Sequence, residues 1–382
     1  MKFSEMPYTR PDAEALKKQM SQLTERLQNA ASYEEARQVF LEKEAASRTV
    51  ETQATLASIR HSIDTRDTFY DGEEKFWNTF GPELEEYEQA WKAAMLDSPF
   101  RKDFSAEYGD LMFLNAEIAR KCFKPEIIPE MQQENDLTQE YEKLLASAQI
   151  PFEGKTYTLS QLTPLKSDPD DARRLAAWQA DAKWSMEHAA ELDELYDKLV
   201  HLRDSMGKKM GYEGYTTLGY YRMNRNCYTK EDVEKFRTAV QKYLVPVADK
   251  ICRKQAERLG KTYPLSFADL ALEFRSGNPC PMGTPDDILA QGMKFYGELS
   301  PETKVFFRTM LDNELLDVLS TEGKQAGGYC TSLGDYEVPF IFANFNGTQH
   351  DVEVVTHEAG HAFADWTNRK RIPSSYIWPT LE

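Results

Sequence analysis

Apolar positions in the first half of the chain recur with a helical period. From Asp12 to about Leu27 they fall at Leu16, Met20, Leu23 and Leu27, one face of a helix. Ser32 followed by Glu35 carries a capping-box signature, and the helix it opens runs on through Val39, Phe40, Leu56 and Ile59. The segments at about 72–97 and 101–123 are again helical, dense in charge and aromatics. Alternation around Glu153-Gly154 then predicts a small hairpin near 150–158. Asp168 as N-cap and Pro169 in the first turn predict a long helix ending near Gly207. Thr229 is placed to cap a helix carrying Val233, Phe236 and Val240, and Pro285 and Pro301 open two more.

Between Gln325 and Gly347 the period changes to two. Ala326–Thr331 reads as a glycine-opened strand and Val338–Asn346 as a second, ended by Asn346-Gly347. Pro339 confines the second strand to a sheet edge or to its own first residues. The expectation is an exposed edge on which an extended peptide could pair, with Gly328, Tyr329, Phe342, Ala343, Asn344 and Phe345 as its contacts. The alternative is a purely structural hairpin. The tyrosines, arginines and glycines of Gly211–Arg225 are compatible with a ligand-facing surface and equally with aromatic packing.

Composition narrows the class. A chain of 382 residues, 41% hydrophobic, implies two or three domains or one elongated body. No run approaches the roughly 18 apolar residues of a membrane span. The first ten residues lack the apolar stretch of a secretory signal. The five cysteines show no paired spacing and read as reduced thiols of a cytoplasmic protein. A formal net charge of −17 argues against nucleic acid as a partner.

The candidate chemistry lies late in the chain, in Asp351-Val-Glu-Val-Val-Thr-His357-Glu358-Ala-Gly-His361-Ala-Phe-Ala-Asp-Trp366. Histidines four apart project from one face of a helix, where two imidazoles can reach one zinc ion, with Glu358 placed as general base. Val352, Val354, Val355, Ala359, Ala362, Phe363 and Trp366 would bury the helix on both sides. Gly360, between the two histidines, leaves room for a close approach. The competing interpretation is two core histidines beside a surface glutamate.

Gly327-Gly-Tyr-Cys-Thr-Ser332, Val338-Pro-Phe-Ile-Phe-Ala-Asn-Phe-Asn-Gly347 and Thr356-His-Glu-Ala-Gly-His-Ala-Phe363 resemble the oligoendopeptidase F branch of the thimet oligopeptidase family. Gly219-Tyr-Tyr-Arg-Met-Asn-Arg-Asn-Cys-Tyr228 and Gly277-Asn-Pro-Cys-Pro-Met-Gly-Thr-Pro285 are similar to the same branch. The resemblance implies a mainly α, neurolysin-like body with a deep substrate channel and a small β-sheet beside the zinc helix. It implies one zinc per site and cleavage of internal bonds in short unstructured peptides. A helical region would span 1–205 and the front of a catalytic region 206–382. It also places the third zinc ligand, a glutamate on a later helix, slightly further from His357 than Glu382. The expectation is therefore a chain that stops short of that ligand; the less favoured alternative is Glu382 as a substitute. Apolar faces in 285–322 and 352–367 would then be uncovered. The alternative function is a non-catalytic, peptide-binding remnant of such an enzyme.

Overall fold

Helices α1 (Ala13–Gln28), α2 (Tyr33–Ile63) and α3 (Thr68–Asp97) pack together in a computed structural model that describes residues 1–378. The side chains of Asp12, Ser32 and Asp67 each accept first-turn N–H groups that a helix cannot satisfy internally. Ser32 receives the N–H of Glu35, but the Glu35 carboxylate accepts from Ala31 N (2.9 Å) instead of closing the box on Ser32. Leu16, Leu23, Phe40, Phe80, Trp91 and Phe104 form the core of this layer. The expected helix at 101–123 is two, α4 (Arg101–Tyr108) and α5 (Leu111–Ala119). Gly109, at φ 87°, makes the break.

After α6 (Ile128–Ala146) comes the expected antiparallel hairpin, β1 (Ile150–Phe152) with β2 (Lys155–Tyr157), turning on Glu153 and Gly154 at φ 48° and 77°. A short α7 (Leu159–Leu162) follows. The long helix expected up to Gly207 is α8 (Asp171–Glu187) and α9 (Ala189–Lys209), meeting at His188. Its N-cap is Asp170, which accepts from Arg173 N at 2.8 Å, whereas Asp168 accepts from Asp170 N at 2.8 Å. Three acids in four positions could each have capped, and the helix starts from the second, with Asp171 already inside its first turn.

The remaining helices are α10 (Tyr215–Arg222), α11 (Lys230–Ala239), α12 (Val245–Leu259), α13 (Pro285–Leu299) and α14 (Pro301–Asp312). Thr229 caps α11 as expected, and α13 and α14 open on Pro285 and Pro301 as expected, with Thr284 and Ser300 as their caps. A π turn at Val240–Leu244 joins α11 to α12. It absorbs Pro246, which has no N–H to offer the preceding turn.

The sheet consists of β3 (Leu316–Leu319), β4 (Tyr329–Leu333) and β5 (Val338–Phe345), and α15 (Gln349–Asn368) follows it. Strand order is β3-β5-β4, with β5 parallel to β3 and antiparallel to β4. This corrects the edge expected at 338–346: β5 is the central strand. Pro339 is tolerated because it pairs only with Ser332 of β4, while pairing with β3 begins at Ile341. The two edges are β3 and β4, and β4 is the edge beside α15. Helices α13, α14 and α15 join the sheet in one core with Leu56 and Ile59 of α2, around Phe306, Phe307, Phe340 and Phe342. Among the described residues no helix is long and apolar enough to cross a membrane.

Candidate active site

The direction of α15 is set at its first turn. Asp351, only 2% exposed, accepts from Asn346 N (3.0 Å) and Gly347 N (2.8 Å), clamping the turn out of β5. Asn346 Oδ1 accepts from Thr348 Oγ1 at 2.8 Å, and its amide donates to Ser160 O at 3.2 Å. From there Val355, Ala359 and Ala362 face the core, with Phe363 packed edge-on against Phe306. Asp365 continues the same buried stripe. Tyr296 of α13 donates to the carbonyl of Thr356 at 3.4 Å, fixing the helix one residue before His357.

The opposite face is open. His357, Gly360 and His361 are exposed, so α15 is buried on one side and not on both as its apolar content suggested. A Cβ at Gly360 would meet nothing within 4 Å. The Nε2 atoms of His357 and His361 are 3.2 Å apart, with ring centroids at 4.8 Å. Two nitrogens about 2.05 Å from one tetrahedral zinc would stand about 3.3 Å apart. The pair therefore fits two ligands of a single zinc ion. Among the described residues no third His, Cys, Asp or Glu completes the set. Glu382 lies outside the described residues.

Strand β4 runs beside this face. The Cys330 thiol is pushed up by burial first, then by the charges of Asp365 and Glu358, so Glu358 stands close to the strand. Ser332 donates to Asp365, and Trp378 Nε1 donates to Ser332 Oγ at 3.2 Å. Trp378 also approaches His361, centroid to centroid 5.7 Å. Burial pushes the Asp365 carboxyl up to about 7. Between α2 and the β4 edge lies a cleft lined by Arg48, Glu51, Thr55, Cys330, Thr331 and Ser332. No other strand pairs with that edge among the described residues.

The expected peptide contacts separate into two groups. Phe342, Ala343 and Phe345 are buried in the central strand: Phe342 pairs with Asp317 and Tyr329, Phe345 pairs with Leu319, and the Ala343 carbonyl accepts from Lys324, so none is open to a peptide. Asn344 is committed as well: its amide donates to Gln325 O (2.8 Å) and Gly327 O (2.9 Å), and its carbonyl accepts from Ser160. Gly328 and Tyr329 are at the β4 edge, Gly328 exposed and Tyr329 half-buried. A Cβ on Gly328 would stand 3.1 Å from the Phe342 carbonyl, so the missing side chain allows a close backbone approach. The motif reading missed Asp351, Asp365 and Ser332. Two acids falling on the apolar stripe of α15 were the available signal.

A model of the Peptidase M3 N-terminal domain matches residues 3–123, and one of Peptidase family M3 matches residues 302–382. The class is thus a peptidase. A protein of Bacillus anthracis str. Ames, provisionally described as an oligoendopeptidase F, superposes on the whole chain with TM-score 0.98 and 41% identity; the match covers 70% of that protein. A second such oligoendopeptidase F gives 0.98 and 40%, covering 100% of this chain and 67% of its own. PZ peptidase A with an inhibitor gives 0.97 and 42%, with the same coverage. A comparison with curated proteins found no match. The chain belongs to peptidase family M3, in its oligoendopeptidase F branch.

Proposed function

We propose that this peptidase is a zinc-dependent oligoendopeptidase in which His357 and His361 hold the metal and Glu358 is the general base. The observation that carries the reading is the 3.2 Å spacing of two exposed imidazole nitrogens beside a free strand edge. Zinc, when bound, acidifies water and polarises a carbonyl. Glu358, on the same helix, takes a proton from the attacking water and returns it to the leaving amine. The outer edge of β4 replaces β5 as the strand that aligns the peptide, through backbone bonds that do not depend on side-chain identity. Gly328 and Tyr329 keep their proposed role as contacts there. Residues 1–205 supply the facing wall, chiefly α2, and 206–382 the catalytic floor. The third ligand we assign to the part of the solved relatives that this chain does not span.

Five free cysteines support a reducing, cytoplasmic setting, and the net charge of −17 does not suit nucleic acid. The second reading, a peptide-binding chain without catalysis, is favoured by one observation: only two ligands are among the described residues. Substitution separates the two. Glu358→Gln should keep zinc and lose hydrolysis of a quenched decapeptide by about a hundredfold or more, while His357→Ala should lose both. Near-normal turnover by Glu358→Gln would show that the base is another residue. Absence of zinc and turnover from the unaltered chain would favour the binding reading.

A further inference from the structure

The start of β4 borders a second cavity, about 400 Å³, within the size range of small-ligand sites. One of its carboxylates is fully answered: Glu134 accepts from Arg203 Nε at 2.6 Å and from Arg222 at 2.7 and 3.2 Å. Glu74 and Glu142 line the same cavity with no hydrogen bond or ion pair among the described residues. Burial, then the charge of Glu142, pushes the Glu74 carboxyl up to about 7, and burial raises Glu142 too. The Tyr329 hydroxyl, another lining group, is buried without a hydrogen-bond partner. The neighbouring Ser62 hydroxyl donates to Gln325 at 2.6 Å instead. Two half-buried carboxylates and one buried hydroxyl thus lack a protein partner around one space among the described residues.

The cavity lies beyond the cleft along the same two elements, α2 and the start of β4. Glu51 and Thr55 of α2 flank the β4 edge, and Ser58 and Ser62, further along the same face, line the cavity. Tyr329 opens β4 one residue before Cys330, which lies near Glu358. An extended peptide advancing roughly 3.3 Å per residue along that edge reaches the cavity within a few positions of the histidines.

We propose that this cavity is a specificity subsite for a cationic group of the peptide, received between Glu74 and Glu142 with the Tyr329 hydroxyl as an added acceptor. The inference rests on the peptidase reading above. A bound cation relieves the repulsion between the two carboxylates, which Lys143, itself bonded to Asp71, only partly offsets. The group could be a Lys or Arg side chain or the peptide's own α-ammonium, and the test separates these sources.

Labelled ten-residue peptides, each with one Lys moved through the sequence and a norleucine counterpart, are titrated against the chain by fluorescence anisotropy, with and without added zinc. Each is made with a free and an acetylated N-terminus. One Lys position, or the free amine, should strengthen binding about tenfold or more over its neutral partner. That ratio should collapse towards one in Glu74→Gln/Glu142→Gln. A gain that survives acetylation assigns the site to a side chain, and a gain lost on acetylation assigns it to the terminus. Equal affinity for charged and neutral peptides at every position overturns the subsite and leaves the peptidase reading standing. Failure of every peptide to bind overturns both. Because neither carboxylate holds a partner, the double variant should melt no lower than the unaltered chain. A clearly lower melting temperature would show that they are structurally paired and would overturn the inference.

Discussion

Two amphipathic helical stretches of this chain end in opposite situations. α15 lays Val355, Ala359 and Ala362 on the sheet and turns its histidines outward. The α11–α12 arm has the same periodicity, yet Phe236 is 68% exposed, Tyr243 62% and Ile251 61%. Only Ala256 and Leu259, at its far end, are buried. The arm is held there by Gln255, which donates to the carbonyls of Leu270 and Leu272, and by Arg258, which donates to that of Glu273. A 3.6-residue period therefore announces an apolar face and says nothing about what covers it. In α15 the motif reveals which side must stay open. The arm carries no such motif.

The strongest way to break this contrast is to remove a ring from the core under α15. Phe306 is fully buried and meets Phe307, Phe363 and Trp366. Phe306→Ala should cost about 3–5 kcal/mol in urea unfolding. A loss below about 1 kcal/mol would mean that α15 is not supported by this cluster.

Next in size is the clamp at the start of the helix. Asp351→Ala leaves the N–H groups of Asn346 and Gly347 without their acceptor, at about 1–3 kcal/mol. The entry angle of α15 should loosen with it, so zinc retention should fall as well, and Asp351→Asn should recover part of both. Unchanged zinc content in Asp351→Ala would show that the sheet alone orients the histidines.

These residues also mark where sequence stops being informative. The caps at Thr229, Thr284 and Ser300 were legible because capping is local: a hydroxyl and an N–H three residues apart. Asp168 misled because Asp170 and Asp171 compete within one turn. The order β3-β5-β4 was not legible at all. β3 is four residues long, and its parallel pairing with β5 is a long-range contact that no local pattern encodes. Placing the edge on β5 followed, and with it the assignment of Phe342, Ala343, Asn344 and Phe345. His357 and His361 needed only helical geometry, which is why the sequence and the structure bring together the same pair.

A smaller effect should appear in the pH dependence of stability. Burial holds the Asp365 carboxyl at about 7, far above its value in an unfolded chain. Folding therefore takes up a proton between the ordinary carboxylate range and about 7. The stability linked to Asp365 is present in full below about pH 4 and is lost as pH rises through about 7. Asp365→Asn should flatten the fall in melting temperature from about pH 5 to about pH 8, gaining on the order of 1–3 kcal/mol on the unaltered chain across that interval. The flattening should be partial, because Glu51 and Glu74 are also pushed up to about 7. Parallel pH profiles for the two proteins would show that Asp365 stays charged in the fold.

The smallest expected effect on folding, and the sharpest test of the contrast, lies in the arm. Phe236→Ser, Tyr243→Ser and Ile251→Ser remove apolar surface that touches little in this chain, so together they should change unfolding free energy by no more than about 0.5 kcal/mol per site. Their effect should appear in association instead. Six large apolar side chains between Phe236 and Ile251 are about half exposed or more, a density that favours self-association. The sequence reading expected uncovered faces at 285–322 and 352–367. Phe295, Leu299, Val305 and Leu319 are exposed in the first range, more sparsely than in the arm, whereas no large apolar side chain is among the exposed ones in 352–367. Light scattering at increasing concentration should show the unaltered chain associating and the triple variant doing so less, at matched melting temperatures. If the triple variant unfolds several kcal/mol more easily, the arm is bound to the body through contacts that its exposure does not reveal, and the contrast with α15 fails.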